Sequence, residues 1–262
     1  MIHRRSLSTI LAAPFSPRHW RAGMQIFRQV ADPIDLLFRY LSRRGGYPHT
    51  VRVRTAVGGF APVTLYSGED TMTIVEIFCR DDYPMQGDEK TVVDFGSNIG
   101  ISTVWWLSQA PSAFVHLFEP VPRNIERLKD NLRPFEGRFE LNPVAVGPRG
   151  GPVEFGVEDS GRYGGVGRAT GQTIKVTCVD SNEALAAVIA SRGDIDVLKI
   201  DIETLEREVT ERIPVEIAHR IKRIYVEFCF ETNPLSASHD MRRMGPQMTH
   251  FILKPTQPAG AA

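Results

Sequence analysis

Short apolar runs and amphipathic segments take turns along most of this chain. Residues 91–95, 114–118, 139–146, 195–200 and 221–228 are β-branched or aromatic runs of strand length. Between them, 99–108 places Val104 and Leu107 on one helical face, with Trp105 or Trp106 beside them, and 122–132 does so with Ile125 and Leu128. Asp180-Ser181 caps a helix through Ile189, and another helix runs to about Ile213. Strands alternating with helices at this spacing predict an α/β fold, doubly wound around a mostly parallel sheet. Upstream, 50–66 alternates strictly, with Gly58-Gly59 at its centre, and predicts a β-hairpin. A helix carrying Ile74, Ile77 and Phe78 follows it.

The two ends differ from this pattern. Trp20, Met24, Ile26, Phe27 and Val30 recur at near-helical spacing, as do Ile34, Leu37, Phe38 and Leu41. Asp32-Pro33 opens the second of these helices and Gly45-Gly46 ends it. Residues 1–48 therefore form a helical extension: a lid over a substrate, an arm in a homodimer, or a plain cover. Residues 49–254 form the main domain and 255–262 a flexible tail. Residues 147–171 are rich in glycine, and a loop at 159–170 is expected between strands at 153–157 and 173–179. Near the C-terminus, 239–244 is expected as a short helix and 248–253 as a last strand.

Composition narrows the partners. The 262 residues carry 31 Lys+Arg against 31 Asp+Glu, a net charge of zero, so no nucleic-acid partner is indicated. Cys79, Cys178 and Cys229 are far apart and odd in number, which suits free thiols in a reducing cytoplasm. The scattered histidines match no metal-site spacing. No apolar run approaches the ~20 residues of a membrane span, so no membrane partner is expected. The start, Met1-Ile2-His3-Arg4-Arg5 before a broken apolar stretch, imitates a signal peptide only weakly, and the expected compartment is the cytoplasm.

The chemistry gathers at strand ends. The run Val93-Asp94-Phe95-Gly96-Ser97-Asn98-Ile99-Gly100 reads D-x-G-x-x-x-G between a strand and a helix. A dinucleotide fingerprint would read G-x-G-x-x-G and hold a pyrophosphate at the helix N-terminus. A phosphate-free ligand such as S-adenosylmethionine (SAM) suits this loop better. Glu119, at the end of the next strand and 23 residues after Gly96, is placed to accept ribose hydroxyls. Asp201 ends a later strand. The three acids should share one edge of one sheet.

Five segments in order carry a resemblance. Besides the glycine loop they are Phe118-Glu119-Pro120-Val121-Pro122-Arg123-Asn124, Asn142-Pro143-Val144-Ala145-Val146-Gly147, Val176-Thr177-Cys178-Val179-Asp180-Ser181 and Leu198-Lys199-Ile200-Asp201-Ile202-Glu203. From about Val51 to Phe230 the chain resembles the FkbM-type SAM-dependent methyltransferases, of the Rossmann-like class I. It departs from them at Thr204, where the family usually has glycine, and in its short C-terminus, which shows one clear arm of the expected antiparallel hairpin.

The resemblance implies methyl transfer from SAM to a hydroxyl of a small molecule, a natural product or a sugar. It implies cofactor binding by Asp94, Gly96, Ser97, Asn98, Gly100, Glu119 and Pro120, with Val144 and Ala145 bordering the adenine. Backbone at Gly96 and Asn98 would cradle the methionine part, with Asp94 near its ammonium. Asp201, Glu203 and His239 are candidate bases, and Tyr163 and Glu227 candidate substrate contacts. Asp201 and Glu203 could equally cap a helix and favour its dipole. A nicotinamide-dependent oxidoreductase and a non-catalytic SAM-binding module are the alternatives. No basic stripe or D/N-P-P-Y/F motif suggests a nucleic-acid methyltransferase.

Overall fold

The computed structural model describes residues 17–158, 164–167, 172–245 and 247–255, with side chains from residue 23 onward. Tyr163, Arg168 and nearly all of the expected tail lie outside the described residues, as does the loop expected at 159–170 except for residues 164–167, where Gly164–Val166 form a short strand and not loop. The chain divides into two compact units, Met1–Pro84 and Met85–Ala262.

In the first unit, helices α1 (Pro17–Gln29) and α2 (Pro33–Ser42) precede a hairpin of β1 (His49–Arg54) and β2 (Phe60–Leu65). The hairpin pairs Val51 with Val63 and Val53 with Ala61. All four side chains are buried, with Ile26, Val30 and Leu36 of the helices buried in the same unit. The strict alternation of the strands therefore has a cause, because one face meets this small core. The hairpin groups with the N-terminal helices. The helix expected next is α3 (Gly68–Ile74), whose Ser67 hydroxyl accepts from the Asp70 N–H, and it runs on as a π-turn over Val75–Cys79.

The second unit is the α/β domain. β3 (Thr91–Phe95), α4 (Ile101–Gln109), β4 (Phe114–Phe118), α5 (Pro122–Leu132) and β5 (Phe139–Asn142) follow one another. The run expected as one strand at 139–146 breaks at Pro143-Val144. Its second part, β6 (Ala145–Gly147), joins a separate four-stranded sheet with β7 (Gly151–Val157), β8 (Gly164–Val166) and β9 (Gln172–Asp180). Proline has no N–H for the ladder, which is the physical reason for the break. Then come α6 (Ser181–Arg192), β10 (Ile195–Ile200), α7 (Glu206–Glu211), α8 (Val215–Ala218), β11 (Ile221–Val226), β12 (His239–Arg243) and β13 (Thr249–Leu253).

The seven-stranded sheet runs in the order β12-β13-β11-β10-β3-β4-β5. β11, β10, β3, β4 and β5 are parallel neighbours. From β3 the chain moves one way to β4 and β5 and later the other way to β10 and β11. The crevice outside the carboxyl ends of β3 and β10 is thus the topological switch point, where such sheets bind ligands. A continuous core that includes Val93, Phe95, Leu198, Ile200, Ile224 and Phe251 backs this edge.

The helix expected at 239–244 is instead strand β12, antiparallel to β13, and β13 is antiparallel to β11. The C-terminal hairpin is complete despite its short sequence. His239 is buried while Asp240 is exposed, a period of two that a five-residue window cannot separate from a helical turn. Phe251 of β13 is fully buried edge-to-face against Phe230, with ring centroids 5.5 Å apart. Phe251→Ala should cost about 3–5 kcal/mol in urea unfolding; a loss under ~1 kcal/mol would show that this hairpin does not close the core.

Candidate active site

The site starts from the register of two strands. Lys199 lies opposite Asp94 across the β10–β3 pair, and Asp201 follows Lys199 by two residues, on the same face. The Lys199 ammonium, 2% exposed, reaches Asp94 Oδ1 at 3.1 Å, the Gly96 carbonyl at 2.9 Å and Asp201 Oδ2 at 3.2 Å. Burial works against its charge, but Asp201 and Asp94 outweigh burial and its pKa is raised. The other Asp94 oxygen accepts from the Ser102 and Thr103 hydroxyls of α4, at 2.6 and 3.0 Å. Asp94 is therefore a wholly buried brace beneath the loop. The resemblance placed it near the methionine ammonium directly or through water, and both of its oxygens are engaged within the protein.

The loop itself is closed on its own donors. Gly96 and Ser97 N–H both donate to the Phe118 carbonyl, Asn98 N–H to Glu119 Oε2 at 2.9 Å, and Gly100 N–H to the Ser97 carbonyl. Ser97 Oγ donates to the Asp94 carbonyl. The Gly96 and Asn98 amides are thus committed within the protein. A phosphate would need a nest of outward N–H groups, and these four point elsewhere. Gly96 sits at φ 80°, and a Cβ there would stand 1.7 Å from the Asp201 carbonyl oxygen. Only glycine permits the β3 loop and the β10 end to cross so closely. Gly100 (φ 85°) caps α4 against Leu128.

Glu119 is drawn back over this loop. Its Oε2 holds Asn98, and its Oε1 accepts from the Val121 N–H at 3.0 Å and the Asn124 amide at 3.3 Å. Burial pushes its pKa up to about 7, against those hydrogen bonds and the charge of Lys199. Pro120 sits half-buried beside it. Beyond β5, Val144 is half-buried and Ala145 buried, on the chain segment leaving the sheet toward β6.

At the other side of the switch point, Asp201 and Glu227 end the neighbouring strands β10 and β11, and the Glu227 N–H donates to the Ile200 carbonyl at 3.0 Å. The two carboxyl groups are hydrogen-bonded. The charge of Asp201 first, and burial second, raise the pKa of Glu227. The Glu227 residue is open to solvent at the rim. Glu203 (φ 56°) and Thr204 (φ 85°) follow in the left-handed region. For the β-branched Thr204 that conformation is an outlier costing about 1–3 kcal/mol. A glycine here would be unstrained. Buried Glu206 steadies the turn by accepting from the Ile202 N–H at 3.1 Å. The β8 backbone at Gly165 presses on it, since a Cβ there would meet the Glu203 carbonyl at 2.8 Å.

Asp94, Gly96, Ser97, Asn98, Gly100, Glu119, Asp201, Glu203 and Glu227 thus meet around one sheet edge. His239 does not. It pairs with Leu253 at the far end of the hairpin, fully buried, with its ring nitrogens at 2.8 Å from Ser238 Oγ and 2.9 Å from the Ile221 carbonyl. Ile221 begins β11, so His239 lies at the opposite end of the strands from Glu227, and it is rejected as a base. The sequence reading missed Lys199, Ser102, Thr103 and Asn124. Lys199 had a signal: a lone cation between Leu198 and Ile200 in a strand otherwise suited to burial.

The fold is thus a doubly wound α/β sheet with a glycine loop and acidic strand ends gathered at its switch point. The family model described as "Methyltransferase FkbM domain" matches residues 94–249, more than half of the chain. The chain belongs to the FkbM methyltransferase family. It is a methyltransferase, and that fold implies SAM as methyl donor. Comparison with curated proteins gives no match. Among solved structures it is similar to a methyltransferase from Geobacter sulfurreducens (14% identity, 64% of this chain and 72% of that one, TM-score 0.37). It is also similar to the fibrillarin pre-rRNA processing protein of Methanococcus jannaschii (10%, 80% and 96%, 0.39) and an rRNA methylase from Streptococcus thermophilus (10%, 65% and 89%, 0.35). Likeness this distant says nothing of substrate.

Because the folded value of Glu119 lies above its ordinary 4.5, the folded protein holds the extra proton between pH 4.5 and about 7. Its contribution to stability is full below that window and falls as pH rises through it. Urea unfolding at pH 5 and 8 should show the wild type losing roughly 2–3 kcal/mol more than Glu119→Gln over this interval. Equal losses would mean that Glu119 is not buried as described.

Proposed function

We propose that this enzyme transfers the methyl group of SAM to a hydroxyl of a small molecule, a natural product or a sugar, in the cytoplasm. The observation that carries the proposal is the ladder Asp94–Lys199–Asp201, which ties the cofactor loop to a carboxylate at the solvent rim. When bound, SAM supplies a methyl group on a good sulfonium leaving group. The chain then has two tasks, holding the acceptor oxygen in line and removing its proton.

Glu119 takes the ribose hydroxyls through lone pairs that its three donors leave over. The loop from Gly96 to Gly100 supplies shape rather than N–H donors, and Val144 and Ala145 border the adenine. Asp201 is the base. Lys199 favours its carboxylate form, and Glu227, with its raised pKa, keeps the proton of the pair. Glu227 also faces the acceptor. Glu203 shapes the rim through its strained turn. The neutral overall charge supports a small acceptor over a nucleic acid. The committed N–H groups of the loop disfavour a dinucleotide cofactor.

Two measurements test this. Isothermal calorimetry should show SAM affinity falling at least tenfold in Glu119→Ala; unchanged affinity removes Glu119 from the site. For Asp201→Asn, turnover of a hydroxyl acceptor should drop about 10²–10⁴-fold with SAM affinity kept within a few-fold. Full turnover in that variant would leave positioning as the whole of catalysis.

A further inference from the structure

The first unit carries an outward face that the site does not use. On α2, Ile34, Phe38 and Leu41 are 74%, 57% and 71% exposed. At about 100° per residue they share an arc of roughly 60°, opposite buried Leu36. On α1, Met24 and Phe27 are 61% and 58% exposed while Ile26 and Val30 face the core. Both helices thus have an apolar edge inside and a second one outside, beyond what isolated surface residues would give.

The charge on this stretch is unbalanced: residues 23–48 hold four arginines and two aspartates, while the whole chain is neutral. Both acids are already paired within the unit, Asp32 with Arg52 at 3.0 Å and Asp35 with Arg39 at 2.9 Å and His49 at 2.8 Å. Arg28, Arg43 and Arg44 are exposed at the C-terminal ends of the two helices, and among the described residues their guanidinium groups have no carboxylate partner.

We infer that this face docks the enzyme on an anionic lipid bilayer surface, with Met24, Phe27, Ile34, Phe38 and Leu41 at the acyl boundary and the arginines among the headgroups. Such a surface offers apolar depth and negative charge together, which is what this face lacks partners for. A second copy of the chain using the same face would bring unpaired arginines against arginines in an isologous contact. A nucleic acid would satisfy the charge but not the aliphatic side chains. Attachment here is peripheral, since no described helix is long and apolar enough to cross a membrane. It replaces the expectation, drawn from run length alone, of no membrane partner.

The full-length protein is sedimented with vesicles of phosphatidylcholine alone and of phosphatidylcholine with 30% phosphatidylglycerol. The bound fraction should be at least fivefold higher on the anionic vesicles and fall with added salt. Phe38→Ser/Leu41→Ser and, separately, Arg43→Ser/Arg44→Ser should each reduce it at least fivefold while SAM affinity stays unchanged. Equal sedimentation on both vesicle types overturns the proposal. So does a dimer in light scattering that Phe38→Ser/Leu41→Ser converts to monomer, because the face then belongs to a second copy.

Discussion

One buried ammonium holds the catalytic unit's edge together. Lys199 stands in the middle of a sheet whose neighbouring positions are dry, and three oxygens converge on it, two from β3 and its loop and one from the end of β10. A cation there is tolerated because its partners are in place, and Asp94 is tolerated for the same reason. The pair does not have to contribute net stability to matter. It fixes register, since a one-residue slip between β3 and β10 would send Asp94 and Lys199 to opposite faces and strand two charges in the core. The same contact reaches Asp201, so the position of the rim carboxylate is set by the strand that carries the cofactor loop.

The close crossing at Gly96 and the strained turn after Asp201 belong to this arrangement. The β10 end can press its carbonyl toward Gly96 only because no side chain stands there. The chain must then turn sharply away, and it does so through two left-handed residues, neither of them glycine. Glu206 beneath and the β8 backbone beside the turn hold it in that state. Strain of this kind persists when surroundings over-determine it, and it gathers at functional edges.

The two units use charge differently. In the catalytic unit, Asp94 and the rim carboxylate Asp201 share one buried cation, Lys199. In the first unit Asp32 and Asp35 are spent on internal pairs, and arginines are left outward beside exposed apolar side chains. A net charge of zero conceals this separation. Counting over the whole chain averages a basic, amphipathic segment with a more acidic catalytic body.

Local pattern was enough for much of this molecule. The alternation of apolar runs with amphipathic segments determined the doubly wound sheet, because burial on both faces imposes that pattern residue by residue. The spacing of Asp94, Gly96, Gly100 and Glu119 likewise marked the loop, since a glycine turn and a strand-end acid are local requirements. The tertiary structure alone decided what these groups touch. Strand order, which no local window contains, placed Lys199 against Asp94 and Asp201 beside Glu227, and sent His239 to the far end of the sheet. The β12 strand was likewise settled by its pairing with β13. Hydrogen-bond partners and desolvation depend on neighbours distant along the chain, and for that reason only the folded structure shows Asp94 as a buried brace.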